Sequence, residues 1–420
     1  MALPNNILQN VQTYNKADLA YLLNRYAFIN NFNKKYKDFQ KANPANLGDT
    51  ITFDKPPRFT ANDCLVVNFE GVEQRVQSLT VDKAKNVPIA LSAQQMIFNV
   101  SEYMDRFGKA AIDELGAVVE ADVAETCITQ PYRFYGDGLT DINSFGQLAQ
   151  ALAMFRNFGA ARDNTRGYLS DIVIPGIVNT GLNQFAQNRN NTMADGGPNS
   201  WEIGNFSQCD WYSSNLLPIH VAGTEGNAQT TLTVVSTTLD ASGAVIAITF
   251  SGTTSASDVD SIKRYDKFQF QDGVGALPNI RFRTFVGHQP SAVPVQFAAT
   301  ADAASTAGSQ VTVSITPPLQ AGSGKNQNIT TQIVPGMQVL ALPTHRAGMI
   351  ESGNQAYLAM PTLPDQDPFM TSNVTDPDSG ASLRMYTGTL FGQNQQGTVH
   401  DVIWGKTVVP DNCMSLVFPV

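Results

Sequence analysis

Charged side chains are scarce in this 420-residue chain. Asp, Glu, Lys and Arg together make up 15% of the residues, against about 25% in an average soluble domain. The 27 basic and 36 acidic residues leave a formal net charge of −9. This balance argues against tight, non-specific binding of nucleic acid through a basic surface.

Long hydrophobic runs are missing as well. No window approaches the roughly 20 consecutive apolar residues that a membrane-spanning helix needs. The first six residues, Met1–Asn6, contain neither the basic nor the apolar stretch of a secretion signal. We therefore expect no membrane partner, and we expect the protein to stay where it is synthesised.

Cysteine and histidine occur four times each, without metal-binding spacing. The cysteines are Cys64, Cys127, Cys209 and Cys413, and the histidines are His220, His288, His345 and His400. No CxxC pair or HExxH motif is present, so we expect reduced thiols, structural histidines and no metal.

Motifs of catalysis and cofactor binding are also lacking. The stretch Gly322–Lys325 resembles a phosphate-binding loop, but Leu319 and Asn326 stand where that motif requires Gly and Ser or Thr. No serine lies in a GxSxG turn. The sequence therefore predicts no enzyme and no cofactor.

The first part of the chain predicts an arm followed by a hairpin. Residues 1–47 mix aromatic, Asn and Lys residues without a strand period, which indicates a partly helical, extended arm. Thr50–Phe53 and Val76–Val81 then alternate in polarity, as strands do. Because the connection between them is long, we expect a hairpin with a projecting tip.

A helical period follows the hairpin. Apolar residues recur every three or four positions from Leu91 to Cys127, and Ser92 is a suitable N-cap. The pattern predicts a helix of about 35 residues, roughly 50 Å long. A second helix is expected at Asp141–Asn157, and the apolar run Asp171–Pro175 is interpreted as a buried strand that Pro175 ends.

The composition changes between residues 219 and 343. This stretch holds 27 Ser and Thr but only 13 charged residues. It consists of short alternating runs such as Val245–Phe250, separated by turn sequences such as Asp240–Gly243. We predict a small inserted β-barrel or sandwich, after which the outer domain resumes and continues to Val420.

This succession of features resembles the major capsid proteins of tailed bacteriophages with the Hong-Kong-97-type fold, and especially the coat proteins of the P-twenty-two type. The residues that carry the resemblance are Gly48–Thr60 and Arg75–Val81 for the hairpin, Ser92–Cys127 for the spine helix, Trp201–Phe206, Asn215–His220 and Ser261–Phe268 for the insertion, and His345–Ile350, Ala356–Ala359, Ser382–Tyr386 and His400–Gly405 for the strands that follow it.

The resemblance implies an α+β fold of the Hong-Kong-97 type with an inserted small β-barrel. Its expected parts are an N-terminal arm (1–47), an E-loop hairpin (48–84), a peripheral domain with the spine helix (85–135), the first part of an axial domain (136–218), the inserted barrel (219–343), and closing strands of the axial and peripheral domains (344–420).

The implied function is structural. Copies of the chain would form pentamers and hexamers of an icosahedral shell around DNA that is held without sequence-specific binding. A scaffolding protein, a portal protein and a decoration protein are the further partners, and the location is the virion after assembly in the host cytoplasm. The expected contacts between subunits lie at Lys55, Arg58, Phe59 and Arg75.

Two departures from the family accompany the resemblance. The turn at Asp240–Gly243 is shorter than the loop that joins subunits in the nearest relatives, and no lysine is placed for covalent crosslinks, so we expect a non-covalent shell. Two other functions remain open: the shell of an encapsulin-like cellular compartment, and an extracellular β-rich adhesin or binding module.

Overall fold

A computed structural model describes residues 6–34, 48–55, 57–61, 69, 71–72, 74–92, 108–160, 163–177, 202–273, 277–322, 324–365, 370–377, 380–389 and 395–420. Its helices are α1 (Asn6–Arg25), α2 (Ala27–Asn31), α3 (Lys109–Ala124), α4 (Thr126–Thr129), α5 (Phe145–Asn157), α6 (Ile174–Ile177) and α7 (Thr224–Asn227), with a 3-10 helix at Pro410–Asn412.

The strands before the predicted barrel are β1 (Thr50–Lys55), β2 (Arg75–Thr80), β3 (Lys83–Ser92), β4 (Phe134–Tyr135), β5 (Arg166–Ser170), β6 (Glu202–Phe206), β7 (Cys209–Ser214) and β8 (Ile219–His220). The strands β9 (Thr231–Leu239), β10 (Val245–Ser251), β11 (Lys267–Phe270), β12 (Arg281–Arg283), β13 (Pro290–Pro294), β14 (Gln296–Ala299), β15 (Gln310–Leu319) and β16 (Gln338–Ala341) follow. The last are β17 (His345–Glu351), β18 (Ala356–Ala359), β19 (Met370–Thr375), β20 (Ser382–Thr389), β21 (Gln395–Val408) and β22 (Cys413–Phe418).

The fold is mixed α+β and rich in strands. No helix among the described residues is both long and apolar enough to cross a membrane. The domain boundaries given above stay predictions.

Six strands close into a barrel in the order β10-β15-β14-β11-β16-β9. This confirms the barrel expected between residues 219 and 343. Ile248 and Phe250 of β10 are buried in the alternation of a strand, and the irregular register between Val245 and Ala247 lets Val245 be buried as well. The rings of Phe268 and Phe297 stack inside the barrel with their centroids 5.1 Å apart. The barrel therefore has an apolar centre of its own.

Two further sheets form the body of the protein. One has the order β4-β22-β17-β5-β7-β6, with β8 also paired to β17, and the other has the order β18-β21-β20-β19, with β3 paired to β21. Strand β22 lies between β4 and β17, and its six residues are all buried. The chain thus returns to the body after the barrel, as expected.

The barrel is attached to the body by packing and by buried hydrogen bonds. We call residues 219–343 the barrel region. The ring of Phe282 in this region packs edge to face on the ring of Phe158 in the body, with their centroids 5.3 Å apart. The side-chain amide of Gln296 accepts from the Phe134 backbone N–H (3.1 Å) and donates to its C=O (2.9 Å). Since Phe158 and Phe282 belong to one hydrophobic core together with Phe268 and Phe297, the core of the barrel is continuous with that of the body.

Residues 6–34 of the expected arm fold back onto the same chain. Their aromatic side chains join the core against α3 and the second sheet, so the expectation of an extended arm is wrong for this part. Gly116 of α3 permits this approach, because a Cβ there would lie 2.2 Å from the Tyr26 ring. Residues 1–5 and 35–47 of the predicted arm lie outside the described residues.

Buried polar groups hold the two arm helices in place. Glu120 of α3 accepts hydrogen bonds from the backbone N–H groups of Phe28 (3.0 Å) and Ile29 (3.1 Å) and so caps α2. The Asn15 amide donates to the backbone C=O of Ser372 at 2.7 Å. These contacts hold α1 and α2 against the body.

The predicted start of the long helix is wrong. Leu91 and Ser92 end strand β3, where they pair with Gln396 and Gln395 of β21. Pairing with a distant strand overrides the local helical period and the suitability of Ser92 as an N-cap. Helix α3 is described from Lys109 onwards, and residues 93–107, also predicted to be helical, lie outside the described part.

The predicted strand at Asp171–Pro175 is also wrong. The strand β5 lies five residues earlier, where it buries Tyr168 and Leu169. Residues 171–173 form a turn, and Ile172 is 69% exposed. Pro175 lies in the short helix α6, a position that proline tolerates because the first turn of a helix needs no N–H donor.

The predicted helix at Asp141–Asn157 is confirmed from Phe145 onwards. Ser144 is its N-cap, since its hydroxyl accepts from the Gln147 backbone N–H at 3.3 Å. Three of the four cysteines are free, buried thiols, and Cys64 lies outside the described residues.

Candidate functional site

The predicted contact residues lie around the base of the hairpin. Strands β1 and β2 pair antiparallel from Thr50 opposite Thr80 to Lys55 opposite Arg75, which confirms the predicted hairpin. The Phe53 ring stacks on Tyr357 with centroids 4.3 Å apart. The base of the hairpin is therefore packed on the body.

One carboxylate organises the cations at this base. Asp411 lies in the 3-10 helix, and its Oδ2 is 3.1 Å from a guanidinium nitrogen of Arg58 and 3.2 Å from one of Arg75. Its Oδ1 accepts from the Tyr132 hydroxyl at 3.3 Å, and its backbone C=O accepts from Arg133 at 3.2 Å. The hairpin, the body and the closing segment meet at Asp411.

Phe285 links this cluster to the barrel region. The Arg58 guanidinium lies 4.2 Å from the centroid of the Phe285 ring, and the Arg133 guanidinium lies 4.5 Å from the same centroid. Arg133 also lies 4.3 Å from the Phe158 ring. Contacts between a cation and an aromatic face strengthen when water is excluded, and Arg133 is fully buried.

The charges in this cluster do not balance. Burial raises the pKa of the Asp411 carboxyl, but four surrounding cations outweigh burial and hold that pKa below its ordinary value. These cations are Arg58, Arg133, Arg75 and Lys55. Burial in turn lowers the pKa of both Arg58 and Lys55. Asp411 is therefore ionised, and a further carboxylate here would meet uncompensated positive charge.

Besides the contact of Arg58 with Phe285, two backbone carbonyl groups among the described residues of the hairpin contact the barrel region. Nε2 of His288 lies 3.3 Å from the Phe59 backbone C=O. The Lys325 ammonium donates to the Gly71 backbone C=O at 2.7 Å. Both contacts reach backbone atoms of the hairpin, so they do not use its side chains.

The described side chains of the hairpin include an exposed apolar group. Phe59 is 59% exposed and Phe69 is 95% exposed, while Val72 and Val76 are exposed as well. These four exposed apolar side chains fall within residues 59–76, and exposed apolar surface that is contiguous typically marks protein contacts.

The four predicted contact residues are thus near one another. Arg58 and Arg75 share Asp411, Lys55 is half-buried beside them, and Phe59 is exposed. Whether they also contact another subunit stays a prediction. Sequence reasoning missed Asp411 as their partner, because it lies more than 330 residues away and carries only the signal of a turn beside Pro410.

A second polar cluster lies where the chain enters and leaves the barrel. His220 and His345 pair across β8 and β17, with ring centroids 5.3 Å apart. Nε2 of His220 is 2.7 Å from Asp266, and Nδ1 of His345 is 2.7 Å from the Pro343 C=O. Lys267, fully buried, donates to the Ser415 hydroxyl.

The other two histidines also have structural partners. His400 contacts Asp18 at 3.0 Å in a fully buried pair, and His288 contacts the hairpin. Among the described residues no group of three His, Cys, Asp or Glu side chains is arranged to hold a metal ion.

No protein-family model and no curated protein sequence matches the chain. Solved structures to which this chain is similar include that of Mycobacterium phage Che8. Its TM-score is 0.42 and its sequence identity is 10%, over 93% of this chain and 91% of that one. The capsid of Ralstonia phage GP4 has a TM-score of 0.41 and 8% identity, over 94% and 90%. A virus-like particle from Pyrococcus furiosus has a TM-score of 0.39 and 6% identity, over 97% and 98%.

Proposed function

We propose that this chain is a shell-forming structural protein, the major capsid protein of a tailed bacteriophage with a Hong-Kong-97-like fold. The observation that carries the proposal is the exposed apolar group on the hairpin, formed by Phe59, Phe69, Val72 and Val76. Its burial against a neighbouring copy would supply part of the energy of assembly.

The cations at the hairpin base support the same proposal. Arg58 and Arg75 both pair with the carboxylate of Asp411, and Lys55 also acts electrostatically on it. An acidic group from a neighbouring subunit would reduce the excess positive charge and fix the register of the contact. The predicted contact residues and the exposed apolar side chains would then belong to one continuous surface.

The composition of the chain agrees with this role. A low content of charged residues suits a surface that other copies cover, and a net charge of −9 suits a shell that encloses DNA without binding it tightly. Pentamers and hexamers, a scaffolding protein, a portal protein and a decoration protein are the partners that this function implies. No step of it requires catalysis.

Expression of the chain tests the proposal, with size-exclusion chromatography and negative-stain electron microscopy as the readouts. We expect shells, tubes or curved sheets, formed by the chain alone or with its scaffolding protein. The double variant Phe69→Ser/Val72→Ser should stay folded but assemble poorly. Val259→Ser, at an exposed apolar residue of the barrel region, is the matched control and should assemble normally.

A compact monomer under every condition, including with a scaffolding protein present, would contradict the proposal. It would favour the binding-module function instead. Closed particles that are uniformly small would favour the encapsulin-like function.

A further inference from the structure

The described residues of the hairpin beyond Lys55 and Arg75 belong to no strand. The described strand pairing of the hairpin ends at Lys55 opposite Arg75, and an isolated two-stranded hairpin is marginally stable in water. Beyond this point the described residues contact Asp411 through Arg58 and two loops of the barrel region. One loop contains Phe285 and His288, and the other contains Lys325.

These loops contact the hairpin at three points. Phe285 lies against the Arg58 guanidinium at 4.2 Å, His288 lies 3.3 Å from the Phe59 C=O, and Lys325 donates to the Gly71 C=O at 2.7 Å. The contacts cover both the outgoing and the returning side of the hairpin. They therefore constrain its direction as well as its distance from the barrel.

The contacts made by His288 and Lys325 do not cover the apolar side chains of the hairpin. His288 and Lys325 contact backbone carbonyl groups, while Phe59, Phe69 and Val72 stay exposed. A contact to side chains would have covered the same surface that a partner needs. The contacts hold the backbone of the hairpin at Phe59 and Gly71 and leave the side chains of Phe59, Phe69 and Val72 exposed.

We propose that the barrel braces the hairpin, and that His288 and Lys325 are positioning residues that hold its apolar side chains ready for a second copy of this chain. The proposal rests on the proposed function, because it names the second copy as partner. Ordering the hairpin before contact lowers the entropic cost of association, and that cost would otherwise oppose assembly.

Hydrogen exchange of the unassembled protein is the first test. The double variant His288→Ala/Lys325→Met removes both contacts to the backbone and keeps most of the lysine stem. We expect amide exchange near Phe59 and Gly71 to speed up about threefold or more, as the loss of about one hydrogen bond predicts. The barrel should exchange as in the wild type, and Lys263→Met, an exposed lysine of the barrel region paired with Asp260, should change nothing near the hairpin.

Assembly kinetics are the second test. Light scattering at equal protein concentration should give a lag at least about threefold longer for the double variant than for the wild type or Lys263→Met. Unchanged exchange in the hairpin would overturn the brace, and so would faster assembly, because the contacts would then restrain the hairpin from its partner. If the wild type does not assemble either alone or with a scaffolding protein, the proposed function fails, while the exchange result still decides whether the barrel holds the hairpin.

Discussion

The barrel and the hairpin are stabilised in opposite ways. The barrel closes on itself around stacked phenylalanine rings, among them Phe250, Phe268 and Phe297. The hairpin has two paired strands, and its direction depends on groups from elsewhere in the chain, such as Asp411 and Phe285.

This difference implies that the barrel is the stable element and that the hairpin is the element whose position can change. A closed apolar core makes a rigid unit whose stability falls steeply when its packing is broken. An element held by ion pairs and single hydrogen bonds can be shifted by small changes in sequence or pH. We therefore expect the barrel to be rigid, and the hairpin and the contacts between barrel and body to respond more readily to such changes.

The largest effect is expected in the barrel core. Phe297→Ala should lower the free energy of unfolding by about 3–5 kcal/mol, because it removes a fully buried ring that packs on Phe268 and leaves a cavity. Urea denaturation measures the change. Val259→Ala, at an exposed apolar side chain, is the control, and a loss below about 1 kcal/mol for Phe297→Ala would contradict a tightly packed barrel.

The next effect is expected where the barrel meets the body. Burial lowers the pKa of Lys267 from 10.5 to about 7. Between these values the unfolded chain holds a proton that the folded chain does not, so stability falls as the pH falls from 10.5 towards 7. The slope contributed by this one group is at most about 1.4 kcal/mol per pH unit.

Lys267→Met should remove that slope, since methionine keeps the apolar stem and cannot ionise. Urea denaturation at pH 7, 8 and 9 measures it, with Lys263→Met as the matched surface variant. Equal pH dependence in the wild type and in Lys267→Met would mean that Lys267 is protonated inside the fold.

A smaller effect is expected at the hairpin base. Asp411→Asn keeps the size of the side chain but leaves Arg58 and Arg75 without their carboxylate. We expect a loss of about 2 kcal/mol in the free energy of unfolding, less than for the barrel core because the pair is partly exposed. Asp260→Asn, in the exposed pair with Lys263, should stay close to the wild type, and an equal effect of both variants would remove the distinction between the two sites.

The sequence predicted the barrel well because its signals are local. Alternation at Val245–Phe250 and the turn at Asp240–Gly243 are each contained in a few residues, and the structure places β10 and its turn there. The hairpin strands were predicted for the same reason. The residues alone left a barrel and a sandwich open, the resemblance implied a barrel, and the structure shows a closed one.

Other elements could not be predicted because their partners are distant. Ser92 is a suitable helix cap locally, but its backbone pairs with Gln395. The apolar residues after Asp171 fit a strand locally. In the sheet, however, the position between β7 and β17 is occupied by β5. Asp411 carried only the signal of a turn beside Pro410, since its role depends on two distant arginines in the hairpin.

An electron cryomicroscopy map of assembled particles tests the central claim most directly, because it locates Phe69 and Val72 in the shell. We predict that both side chains are buried against a second copy of the chain, while His288 and Lys325 keep their contacts to the hairpin of their own copy. Ordered shells in which Phe69 and Val72 remain exposed to water would contradict the account.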